Sequence, residues 1–118
     1  MAEARYLPDA GDLIWTDFDA RLASKQRNRR PALVISPAAF FHASGFAILC
    51  PIVQKSRNFG ANVAIPPGLP VAGEILTAHV RSLDARKLSI RYAGAAVPAA
   101  VLAEVRAKLA ALCGIAGV

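Results

Sequence analysis

Protein-held metal chemistry is the first thing this sequence leaves little room for. It contains only 2 cysteines and 2 histidines. Cys50 lies in an apolar run and Cys113 near the C-terminus, while His42 and His79 stand alone, so no CxxC or HExxH spacing occurs. Two free thiols, no metal and no cofactor are the expectation. Long hydrophobic runs are missing as well. None reaches the ~18 residues of a membrane-spanning helix, and MAEARYLPDAGD is too polar for a secretory signal, so a cytoplasmic protein without a membrane partner is expected. Aromatic residues make up only 7%, which leaves Trp15 and Phe18 as core or cleft-wall side chains rather than spare base-stacking platforms. Repeats, low-complexity tracts and dividing linkers are absent. With 118 residues, 55% of them hydrophobic, the chain reads as one folded domain over residues 1–118.

Negative charge is the other scarce component. Fourteen Lys and Arg against 8 Asp and Glu leave a net charge of +6, which favours a polyanionic or acidic partner. The basic residues are clustered. Arg21, Lys25, Arg27, Arg29 and Arg30 fall in one short stretch and Lys55 with Arg57 in another, whereas Asp9, Asp12, Asp17 and Asp19 all precede the first cluster. Such a stretch either meets phosphates or is a solvated loop kept soluble by its charge, and the pattern alone leaves both open.

Short apolar segments bounded by Pro and Gly predict strands. DLIWTDFD alternates Leu13, Trp15 and Asp17 on one face with Ile14, Thr16 and Phe18 on the other. PALVISP, GFAILCPIV, NVAIP, EILTAHVRSLD and LSIRYAG supply further strands. The last segment changes period: Val101, Val105, Leu109 and Leu112 follow helical spacing, Pro98 stands at its start and Gly114 can end it. Six strands and one amphipathic helix predict a mainly β (α+β) fold, a small antiparallel barrel or curled sheet closed by a C-terminal helix.

The blocks PDAGDLIWTDFD, RRPALVISP, LCPIV and VRSLDARK, in this order and spacing, resemble the MazF/PemK toxin family of toxin–antitoxin systems. The likeness runs from about residue 6 to residue 112. It implies an SH3-like, CcdB/MazF-like barrel, a homodimer, and a metal-independent endoribonuclease that cuts single-stranded mRNA, leaving a 2′,3′-cyclic phosphate. It also implies an acidic cognate antitoxin of the MazE type lying across the RNA-binding surface. The positive balance is compatible with both partners.

The resemblance also assigns roles to residues. The family's catalytic arginine, in the motif that reads RRPALV here, corresponds to Arg30, whose planar fork of donors suits two phosphate oxygens. The alternative is a structural Arg30 paired with Asp17 or Asp19. Two other family positions depart from the pattern. Val53 stands where the family has Thr or Ser, keeping the shape and losing the hydroxyl, and Ala78 stands where some members have a catalytic aspartate. His79 and Ser56 are the candidates to compensate. RNA contacts are expected from Ser24, Lys25, Gln26, Arg27, Asn28 and Arg29, from Gln54, Lys55 and Arg57 beyond the LCPIV strand, and from Arg81 and Arg86. Three readings follow: an active ribonuclease toxin, a catalytically weakened relative that binds RNA or sequesters an antitoxin, and a gyrase poison of the CcdB type.

Overall fold

In the computed structural model, residues 6–18, 29–54 and 60–115 are described. The strands are β1 (Asp12–Thr16), β2 (Arg30–Val34), β3 (Phe46–Val53), β4 (Asn62–Ala64), β5 (Glu74–Leu76), β6 (Arg81–Asp84) and β7 (Ile90–Ala96). Helix α1 (Ala38–Ser44) joins β2 to β3, and helix α2 (Ala99–Leu112) follows β7. All strand pairs are antiparallel and run in the order β4-β5-β3-β2-β1-β7, with β6 also on β3. The expected antiparallel sheet with a C-terminal helix is therefore present. Among the described residues its hydrogen-bond ladder stays open between β6 and β7, so it is a curled sheet and not a closed barrel.

Strand β3 explains the branching. One of its edges carries β2, through Val34↔Leu49, Leu33↔Cys50 and Ala32↔Pro51. The other is shared: β6 takes residues 46–49, and β5 takes Ile52 and Val53. The segment EILTAHVRSLD, expected as one strand, must break where the partner edge changes. It does so in a 3₁₀ turn over Thr77–His79, whose Thr77 is fully buried and which packs against β3 and α2. Strand β3 has Pro51, which lacks an N–H for the ladder, at this same changeover.

Period-two alternation distributes the side chains of the central strands onto two faces. Leu13, Leu33, Cys50, Ile52 and Ile75 face α2 and are joined there by Val97 and Val105. Ile14, Ala32, Val34, Ala47 and Leu49 face the other way, with Phe41, Leu83, Ile90 and Phe18 packed on them. Helix α2 buries Val105 completely and rests Val101, Leu102 and Leu109 on the core. Leu112, expected in that seam, is 50% exposed, and residues 111–115 are all on the surface. The helix ends as Gly114 anticipates. Its φ of +72° lets Ile115 N–H donate to Ala110 O (2.8 Å) and Gly114 N–H to Ala111 O (3.1 Å), a Schellman closure. Helix α1 was not anticipated: AAFFHAS is short and lacks a helical apolar period, but Asp9 caps it by accepting from Ala38 N–H at 2.9 Å.

Two predictions follow from this packing. Gly73 has φ +130°, and a Cβ there would stand 2.2 Å from Val53 O. Gly73→Ala should lower the urea unfolding free energy by about 3 kcal/mol, through left-handed strain plus a backbone clash. Gly68→Ala, at φ +94° but in open space, should cost only about 1 kcal/mol. The cysteines should separate just as clearly. Burial pushes the Cys50 thiol up to about 12, while Cys113 is exposed, so a thiol reagent at neutral pH should label Cys113 in the native protein and reach Cys50 only after denaturation.

Candidate functional site

The face opposite α2 is apolar over β1, β2 and β3 and turns polar at one margin. Along β2 the same face reads Val34, Ala32, Arg30; along β3 it reads Leu49, Pro51, Val53. Continuing the Ala32↔Pro51 register by two residues on each strand brings Arg30 and Val53 to one rung. On the other side of β2, Arg30 lies opposite Thr16, which is completely buried.

A cleft of about 430 Å³ opens at this margin, lined by Phe18, Arg30, Pro51, His79, Val80 and Arg81. The sheet places each of them. Strand β2 carries Arg30, and Leu49↔Arg81 pairing puts Arg81 on the same face across β3. The 3₁₀ turn delivers His79 and Val80 beside it. Phe18 arrives by an unusual backbone. It has φ +58°, the one non-glycine residue with positive φ among those described, and its N–H donates to Thr16 Oγ1 at 3.5 Å. The Arg81 guanidinium lies 5.8 Å from the centre of the Phe18 ring, a cation–π contact that ties one cation to the apolar wall.

Among the described residues the lining has two guanidiniums, an imidazole and no carboxylate. Neither Arg30 nor Arg81 has a carboxylate partner among the described residues, and the suggested Arg30–Asp17 pair is not formed. Asp17 instead accepts from Ser89 N–H (3.3 Å to Oδ1, 3.4 Å to Oδ2). Asp19 lies outside the described residues. The arrangement can hold an anion against apolar surface, with a proton-transfer group within the same walls.

The structure brings together three of the residues read from sequence: Arg30, His79 and Arg81. Phe18, read from sequence as a core or cleft-wall side chain, is part of the lining, and the structure adds Pro51 and Val80, for which the sequence reading had no site role. Pro51 was legible in principle, since it lies two residues before Val53 and shares its face. Val53 is half-buried on β3 and paired with Glu74, outside the lining, and Ala78 is exposed on the turn beside His79. Gln54 is exposed just past β3. Arg29 points to the opposite face and donates to Ser89 Oγ at 2.7 Å. Ser24, Lys25, Gln26, Arg27, Asn28, Lys55, Ser56 and Arg57 lie outside the described residues.

Arg86 is elsewhere. It sits in the 3₁₀ turn Ala85–Lys87, donates to Asp84 (Nε to Oδ1, 3.1 Å) and lies across Gly45, where a Cβ would meet it at 2.2 Å. Hydrogen bonding to Asp84 holds its guanidinium above its usual range and, in return, lowers the Asp84 carboxyl. It borders a separate 240 Å³ depression with Tyr6, Pro8 and Phe41. There Tyr6 donates to Asp12 Oδ2 at 2.5 Å and is pushed well above the phenol range, first by burial and then by that bond.

Known proteins share this arrangement of elements over nearly the whole chain. The family described as PemK-like, MazF-like toxin of type II toxin–antitoxin system matches residues 9–113. The endoribonuclease toxin MazF of Escherichia coli K12 is 33% identical over 111 residues, 94% of this chain and 98% of that protein. Among solved structures, a chain of MazE–MazF (Form II) from Deinococcus radiodurans is 41% identical, with a TM-score of 0.84 over 95% of this chain and 100% of its own. MazF (Form I) from the same organism is 43% identical, with a TM-score of 0.82 over 93% and 99% of the two chains. Family match, identity and fold agree with the resemblance carried by the sequence motifs: the chain belongs to the PemK-like, MazF-like toxins of type II toxin–antitoxin systems.

Proposed function

We propose that this chain acts as one toxin domain, a metal-independent endoribonuclease that cuts single-stranded mRNA and is restrained by an acidic antitoxin of the MazE type. The observation that carries the reading is the placing of Arg30 and Arg81 in one apolar-walled cleft whose described lining holds no carboxylate. A phosphodiester satisfies both guanidiniums, and the Phe18 ring offers the flanking base a surface. An acidic peptide competes for the same charge, and a second copy of the chain completes a homodimer as in the family. One relative named as an endoribonuclease toxin, and another solved in complex with MazE, support this assignment.

In the chemistry proposed, the 2′-oxygen adjacent to the scissile bond attacks phosphorus and gives up its proton. The bond to the 5′-oxygen then breaks, and that oxygen takes up a proton, leaving a 2′,3′-cyclic phosphate and a 5′-hydroxyl. Arg30 donates to the equatorial oxygens as charge builds on them. His79, whose imidazole nitrogens can both donate and accept a proton, lines the cleft beside Arg81, so it is assigned the proton transfers. A second reading has its own support. Among the described residues no Ser or Thr hydroxyl lines the cleft, and Val53 cannot supply the one the family uses, so a slow or silent member that binds RNA or sequesters an antitoxin is the alternative.

The deciding assay uses antitoxin-free protein, an unstructured RNA and excess chelator. Cleavage to cyclic-phosphate ends is expected. Arg30→Ala should lower kcat/KM by about 10²–10³, and His79→Gln should lower kcat by about 10². RNA that is bound but never cut would establish the second reading. Val53→Thr should raise the rate about tenfold by restoring a hydrogen-bonding group beside Arg30; an unchanged rate would show that the missing hydroxyl is not what limits catalysis.

A further inference from the structure

One group of polar contacts has no part in the cleft and yet touches both residues next to it. The last backbone rungs at this end of the sheet are Thr16↔Arg30 and Thr16↔Ile90. One step further out, the same registers align Asp17 with Arg29 on one side and with Ser89 on the other. At that rung the connection is made partly by side chains: Ser89 N–H donates to the Asp17 carboxylate (3.3 and 3.4 Å), and Arg29 Nη2 donates to Ser89 Oγ (2.7 Å). Ser89 thereby bonds the ends of β1 and β2 to the start of β7.

The rung lies next to strained backbone. Phe18, immediately after Asp17, has φ +58°, and among the described residues its N–H is held by a long 3.5 Å bond to Thr16 Oγ1. A residue in that conformation persists only where its surroundings over-determine it. Side chains alternate, so Asp17 and Arg29 turn away from the cleft while their neighbours Phe18 and Arg30 turn into it. Fixing the first pair fixes the second.

We infer that Ser89 is a positioning residue for the cleft: its hydroxyl and amide hold Arg29 and Asp17 on the far face, and this sets Arg30 and Phe18 where the RNA phosphate and its flanking base arrive. The inference rests on the ribonuclease reading for its catalytic consequence, though not for the clasp itself. Ser89 touches no reacting atom. The amide of any residue can satisfy Asp17, but only a side chain with an acceptor can receive Arg29, so the hydroxyl is the part that substitution removes.

Two readouts on the intact protein test it. In Ser89→Ala, kcat for RNA cleavage should fall about tenfold with KM changed by less than about twofold, and Ser89→Thr should restore kcat, because misplacing a group at the reaction centre acts on the transition state more than on binding. Independently of RNA, amide hydrogen exchange at residues 16–18 and 29–31 should quicken about tenfold in Ser89→Ala, while Leu49 and Cys50 keep their protection. Wild-type exchange and wild-type kcat in Ser89→Ala would overturn the inference. So would a Ser89→Thr protein as slow as Ser89→Ala, or exchange that rises evenly through β1, β2, β3 and β7. If wild-type protein leaves RNA intact, the ribonuclease reading fails, and the exchange pattern alone then decides the clasp.

Discussion

The register of β2 between β1 and β3 is the constraint on which the rest of this structure depends. The rung Leu13–Leu33–Cys50 faces helix α2, and the rung Ile14–Ala32–Pro51 faces the other side. Leu13, Ile14, Ala32, Leu33 and Cys50 are all fully buried, so a slip of one residue would trade each buried side chain to the wrong layer. The same slip would exchange Arg30 for Arg29 in the cleft. Apolar burial on two faces thus fixes which of two adjacent arginines enters the cleft, although neither arginine is buried. Here the link from packing to function is geometric before it is electrostatic.

The second determinant is the divided outer edge of β3. Because β6 and β5 share that edge in sequence, the chain between them must leave the sheet and return within a few residues. The 3₁₀ turn that does so leaves Ala78 exposed and sets His79, Val80 and Arg81 in the same cleft as Pro51. Gly73 permits the approach of β5, since its missing Cβ leaves room for the carbonyl of Val53. The cleft is therefore a consequence of a strand that changes partner. Its walls come from four separate pieces of chain, which is why truncating any one element would alter it.

Much of this was legible in the sequence because it rests on local pattern. Alternation in DLIWTDFD and the apolar runs of PALV and FAILCPIV locate the central strands, and spacing of Val101, Val105 and Leu109 locates α2. The four motif blocks carry the family. What eluded the sequence reading depends on contacts between distant segments. Nothing in EILTAHVRSLD marks Thr77 as a turn residue; the break exists because β3 has one edge and two claimants. Arg81 and Arg86 belong to one block, VRSLDARK, and look equivalent there. Arg81 is held in a strand that faces the cleft, whereas Arg86 follows the strand's end and folds back over Gly45 onto Asp84. Separating them requires the point at which β6 stops, and composition does not supply it.

This contrast also shows what a net charge of +6 means for the surface. Several described cations are already engaged: Arg86 with Asp84, Lys108 with Glu104 at 3.0 Å, Arg106 with the carbonyl of Ile35 at 2.9 Å, and Arg29 with Ser89. Arg30 and Arg81 lie together against Phe18 and Pro51, with no carboxylate among the described residues to neutralise them. Apolar walls limit how well water can stand in for an anion, so the two like charges are held at a cost that a phosphate or a carboxylate placed between them would remove. An engaged arginine offers a polyanion little, because its hydrogen bonds must first be exchanged. The functional content of a basic chain lies, on this argument, in the cations its fold leaves unmatched beside apolar surface, and in the neighbouring contacts that keep them there.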